Sequence, residues 1–110
     1  MNVYDTANKL AQEIKESKEY IEYKKNKEEI NSNNEYKKRI EEFEKMRYDM
    51  QIKQMQGMPI SQEDQKKLEE KYSQIQTEPK IKEYFDTEMR FNVLLTDVNK
   101  IIAEAVKDVL

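Results

Sequence analysis

Apolar residues recur on steps of three and four along the last third of this chain, and that repeat constrains the fold more than any other feature. Ile81, Tyr84, Phe91, Leu95, Val98, Ile102, Ala105 and Val109 keep the spacing if Glu88 is admitted as its one polar member. Such spacing places all of these side chains on one stripe of a single helix. Pro79 stands where a first helical turn tolerates proline, and no glycine or proline follows it. A helix of about 31 residues at a rise of 1.5 Å would run roughly 45 Å. A compact domain of about 110 residues has a radius of gyration near 13 Å. The stripe therefore needs covering along its length, by the rest of the chain or by a second copy.

The remaining segments read as helices too. Val3, Ala7, Leu10, Ala11 and Ile14 share one face, ending near Ser17, which can cap a second segment carrying Tyr20, Ile21, Lys24 and Ile30. Nothing at Glu16–Lys18 decides between one bent helix and two. After the Asn31–Asn34 cluster, Ser32 and Glu35 are spaced as a capping box. Tyr36, Ile40, Phe43, Met46 and Met50 follow as a stripe, flanked by Glu35–Arg39, Glu41–Lys45 and Asp49–Lys53 at ion-pair spacing. Gly57 and Pro59 stop that helix, and Ser61 caps the next, with Leu68, Tyr72 and Ile75 on its face. The Gly57–Ser61 turn is short enough to make the flanking helices an antiparallel pair. No segment alternates like a strand. The expected fold is all-α, a single domain over residues 1–110: an elongated bundle of four to five helices with long hairpins and a long C-terminal helix.

Charged residues make up 39% of the chain, but 20 basic residues nearly balance 23 acidic ones, so the composition is not that of a disordered chain. The core is thin and favours oligomerisation. Without cysteine or histidine there is no disulfide framework, no thiolate metal site and no ordinary general base near neutral pH. One glycine cannot build a phosphate-cradling loop. Glu88, set among apolar neighbours, is the best acid–base candidate. No second polar group completes a site with it, and pairing with a Lys or Arg across a helix interface accounts for it better. No catalytic, metal or cofactor-binding residue is assigned, and the chain is not expected to be an enzyme. The opening residues lack the basic and apolar regions of a signal peptide, and no apolar run is long enough to span a membrane, so a cytoplasmic location is expected.

Three surfaces remain as candidates for binding. Tyr84, Glu88, Phe91, Leu95, Val98 and Ile102 are the expected seam of a homodimer or higher homo-oligomer. Met50, Gln51, Gln54, Met55 and Met58 form a methionine-rich end suited to partner docking, because methionine adapts to varied surfaces. The basic runs Lys24–Lys27 and Lys37–Arg39 lie beside Tyr23 and Tyr36, an arrangement that could grip single-stranded RNA. Acids follow each run closely and the isoelectric point is about 5.2, which favours a solvated helix face instead; nucleic acid is not the expected partner.

Three ordered motifs add a resemblance. Tyr4-Asp5-x-Ala7-x-x-Leu10-Ala11 with Ser17-x-Glu19-Tyr20, then Gln51–Gly57 before a serine-capped helix, then Glu88-x-Arg90-Phe91-x-x-Leu94-Leu95-x-x-Val98-Asn99-x-Ile101-Ile102 resemble the YlbF/YmcA/YheA family of bacterial helical proteins. The resemblance runs over essentially the whole chain. It implies an all-helical fold of long hairpins that associate as homo-oligomers, and no enzymatic activity. It also implies a cytoplasmic regulator linked to competence, sporulation or biofilm formation, with sibling family members and the RNase Y machinery of mRNA processing as partners. Some members carry a cysteine-containing tail associated with iron–sulfur clusters. This chain has no cysteine, so that cofactor is not carried over, and the fit is closest to the YheA-like branch. A purely structural homo-oligomer is the remaining alternative.

Overall fold

The computed structural model describes residues 2–110. Among these residues five helices form: α1 (Val3–Glu16), α2 (Lys18–Asn31), α3 (Asn34–Met55), α4 (Gln62–Gln76) and α5 (Pro79–Val106). No strand occurs among the described residues.

Each boundary has a local chemical cause. Ser17 leaves the helical region (φ −67°, ψ 149°) and serves both neighbours: its hydroxyl donates to the Ile14 carbonyl at 2.6 Å and accepts from the Tyr20 amide at 3.2 Å. The first two segments are thus two helices. At the start of α3 the expected Ser32 capping box does not form. Asn33 is the cap, its side-chain oxygen accepting from the amides of Glu35 and Tyr36, while the Ser32 hydroxyl turns back to the Glu29 carbonyl. Asparagine caps at least as well as serine, and its place one residue later leaves Ser32 free to close α2. Gly57 takes φ +72°, and the amides of Gly57 and Met58 bond to the carbonyls of Gln54 and Lys53. This is the left-handed termination that glycine accommodates without a Cβ clash. Ser61 caps α4 by accepting from the Asp64 amide at 3.0 Å. Pro79 is the first residue of α5, where its missing N–H costs nothing. That helix ends at Val106, so Val109 lies beyond the regular stripe expected to include it.

The packing divides the chain into two units, residues 2–27 with Tyr84–Leu110, and Glu28–Glu83. In the first, α2 and α5 run antiparallel: Tyr20 meets Phe91, while Asn26, two turns further along α2, meets Thr87, one turn back along α5. Tyr23 fills the space between, 5.8 Å from Tyr84 and 5.6 Å from Phe91 by ring centroids. In the second unit α3 and α4 form the expected antiparallel pair, with Phe43 against Tyr72. Ile30, Ile40, Phe43, Ile75 and Ile81 are its buried apolar residues.

Candidate interaction surfaces

The C-terminal stripe divides by what covers it. Tyr84 is buried, only 7% exposed, against Tyr23 and Phe85 of the same chain. Phe91, also on the expected seam, is half-buried against Tyr20 and Tyr23. Leu95 and Val98 are half-buried and Ile102 is 52% exposed. The near half of the stripe is therefore occupied by α2, and only the far half is open to another molecule.

Within the protomer, Glu88 meets no Lys or Arg among the described residues. Its carboxylate lies 3.5 Å from the Tyr23 hydroxyl, a long contact, while Arg90 reaches Glu22 at 3.7 Å. The polar register of this interface is set instead by Asn26 and Thr87, both buried. The Asn26 amide donates to the Thr87 hydroxyl at 3.2 Å, and that hydroxyl donates to the Tyr84 carbonyl at 2.9 Å. The signal was available in the sequence, because Asn26 stands at stripe spacing between Tyr23 and Ile30, and Thr87 stands beside Glu88 on the opposing stripe.

Around this closed centre the first unit leaves much apolar surface open. Helix α1 has no buried residue: Val3 and Tyr4 are about four-fifths exposed (81% and 78%), and Leu10 and Ile14 are half-buried. On α5 and beyond it, Met89, Val93, Ile101, Ile102, Val109 and Leu110 are all exposed. Scattered exposed leucines are ordinary, but an amphipathic helix with no residue of its apolar stripe fully buried is not.

In the second unit the methionine-rich end is split as well. Gln51, Gln54, Met55 and Met58 are exposed, Met55 at 86%. Met50 instead turns into a groove between α3 and α4, with a volume of about 410 Å³. Two ion pairs cross it, Lys53–Asp64 at 2.9 Å and Lys71–Glu42 at 3.3 Å. Glu35–Arg39 forms at its expected spacing, but Lys53 prefers Asp64 across the hairpin to Asp49 on its own helix, and Glu41–Lys45 does not form. The Lys53 ammonium, through its hydrogen bond and its charge, holds the Asp64 carboxyl below the ordinary aspartate range; the Ser61 hydroxyl adds to this.

The aromatics beside the basic runs face their own chain. Tyr23 packs between Tyr84 and Phe91, with Lys27 over its ring. Tyr36 is half-buried, and the nearby Glu78 carboxylate raises its pKa above the ordinary value. Neither ring is presented for stacking on a base. Among the described residues no group of three or more acids is arranged to hold a metal, and no helix is long and apolar enough to cross a membrane.

These features define an all-helical protein with apolar side chains left open on its first unit. The chain belongs to the YlbF/YmcA family, described as control of competence regulator ComK, whose model matches residues 3–107. A UPF0342 protein of Desulfitobacterium hafniense is 39% identical over 110 residues, covering 100% of this chain and 89% of its own. Another, from Halothermothrix orenii, is 41% identical over 102 residues, covering 93% and 86%. Among solved structures, yheA from Bacillus subtilis aligns with a TM-score of 0.66 at 24% identity over 100% of both chains. A protein of unknown function (DUF964) from Bacillus stearothermophilus aligns at 0.83 and 16% identity, over 96% of this chain and 93% of that one. At those identities the two structures support the fold alone.

Proposed function

We propose that this chain is a non-enzymatic regulatory protein that works by protein–protein contact, self-associating through the open apolar surface of its first unit. The observation that carries the reading is the incompletely covered stripe of α1, exposed at Val3 and half-buried at Leu10 and Ile14, together with the exposed far end of α5. Fully burying one large aliphatic side chain contributes about 1.5–3 kcal/mol. Several such residues left in water on one unit favour an assembled state over an isolated protomer. The expected seam is thereby narrowed to Leu95, Val98 and Ile102, joined by the α1 residues Val3, Tyr4 and Leu10.

Membership of a family described by control of a competence regulator supports a regulatory role. The finer assignment, an adaptor in RNase Y-dependent mRNA processing linked to competence, sporulation or biofilm formation, rests on that kinship and on the open surfaces. Affinity capture from the native lysate, read by mass spectrometry alongside native mass by sedimentation, tests both halves. A self-associated protein that retains RNase Y or a family sibling supports the adaptor role. A monomer that retains neither overturns it, and a self-associated protein with no other partner favours a structural oligomer.

A further inference from the structure

The α3–α4 groove is a second, separate surface, and its chemistry selects an occupant. Met46 and Met50, both half-buried, supply its apolar lining. The positions of α4 that line it, Asp64, Lys67 and Lys71, are polar, and Asp64 and Lys71 are held in pairs with Lys53 and Glu42 of α3, so α4 brings no apolar side chain to the groove. Four lysines and three carboxylates line it. Two of those carboxylates are already engaged in the cross-groove pairs with Lys53 and Lys71. That leaves Lys45 and Lys67 against Asp49. Lys67 holds Glu63 at 3.4 Å, but both side chains are more than half exposed, so the pair is readily exchanged. Lys45 has no ion-pair partner among the described residues.

We infer that this groove binds an acidic amphipathic helix of a partner protein, an inference that rests on the regulatory reading above. The partner's apolar side chains, one turn apart, sit over Met46 and Met50, and its flanking carboxylates meet Lys45 and Lys67. The two cross-groove pairs involve Glu42 and Lys53 of α3, roughly 16 Å apart along the helix axis, about three turns of an occupant. That length matches the i, i+4, i+7 anchors by which a helix lies in a groove, and methionine adapts its shape to such anchors.

The test uses the whole chain with its methionine methyl groups labelled with carbon-13. The probe is an end-capped helical peptide with leucine at i, i+4 and i+7 and glutamate on both flanks, compared with a twin carrying lysine for every glutamate. The groove predicts saturable shifts confined to Met46 and Met50, with Met89 unmoved. It also predicts at least about tenfold weaker binding of the lysine twin, equivalent to 1.4 kcal/mol. The exposed double variant Lys45→Glu/Lys67→Glu reverses that preference. No saturable shift, equal binding of the twin, shifts centred on Met89, or a variant that binds as the parent does would each overturn it. The double variant lies outside the proposed self-association surface. Failure at the groove with native mass preserved therefore removes this inference alone, whereas a monomeric parent removes the self-association half of the regulatory reading.

Discussion

The side-chain amide of Asn26 on α2 donates to the Thr87 hydroxyl of α5 across 3.2 Å, and both residues are buried. Among the described residues no buried side-chain nitrogen or oxygen lacks a partner. The bond therefore fixes one register of α2 on α5 and leaves no buried polar atom of this pair unsatisfied.

Asn26→Ala removes the donor and opens a void, leaving one lone pair of the Thr87 hydroxyl unmet. The expected loss is about 1–3 kcal/mol of unfolding free energy. Thr87→Val alone orphans the Asn26 amide and costs a similar amount. The double change Asn26→Ala/Thr87→Val leaves neither partner orphaned and should cost less than the sum of the single losses, by about 0.5–3 kcal/mol of coupling. Urea melts of the four proteins measure this. Strict additivity would show that the pair does not act as a unit.

Acid stability should report the Lys53–Asp64 pair. The folded carboxyl titrates below its ordinary value near 3.8, chiefly because Lys53 donates to it. A depressed carboxylate contributes stability that is fully present above the unfolded value and is lost as pH falls through the folded one. The α3–α4 hairpin should therefore be insensitive to Lys53→Met in the shape of its pH profile near neutrality and diverge from it only below about pH 4. Carbon-detected titration of Asp64 should show its midpoint rising toward 3.8 in that variant. An unchanged midpoint would assign the shift to Ser61 instead.

Gly57→Ala isolates the turn. No atom lies within 4 Å of the position an added Cβ would occupy, so packing plays no part. The φ of +72° alone penalises an L residue, by about 1–2 kcal/mol. A D-alanine at the same position, introduced by chemical synthesis, should restore or exceed the parent's thermal stability by limiting the unfolded chain. Equal destabilisation by both enantiomers would mean that something other than backbone handedness governs this site.

Much of this architecture could be read from local chemistry, because caps and periodicity are short-range. Ser17, Gly57, Ser61 and Pro79 act where their residue types suggest, and the helices between them follow the stripes. Long-range choices were less legible. Lys53 had an acid at ideal spacing on its own helix, Asp49, and took Asp64 across the hairpin, which only tertiary proximity offers. Ser32 lost the cap to Asn33 because two adjacent residues could serve and backbone geometry selected one. The stripe of α5 carried no mark of where α2 would stop covering it. Tyr84 and Ile102 look alike by periodicity, yet one is sealed inside the chain and the other is 52% exposed. The methionine segment likewise divided, Met50 turning into the groove and Met55 into solvent.

That contrast yields the test of self-association. Ile81→Ala empties a fully buried position, 0% exposed, and should destabilise the fold by about 2–5 kcal/mol at any protein concentration. Ile102→Glu places a charge where the protomer is already open to solvent, so its helicity should survive. If this surface is covered by a second copy, the buried carboxylate weakens the assembly at least tenfold, a shift of 1.4 kcal/mol or more. Sedimentation across a range of concentrations then shows a lighter species for Ile102→Glu but not for Met55→Glu, a comparable change at an exposed residue of the second unit. Apparent melting of the parent should rise with concentration, and that of Ile102→Glu should do so only at about tenfold higher concentration, because assembly stabilises the folded state by mass action. An Ile102→Glu protein with the parent's mass and the parent's concentration dependence would mean that the far end of α5 takes no part in assembly.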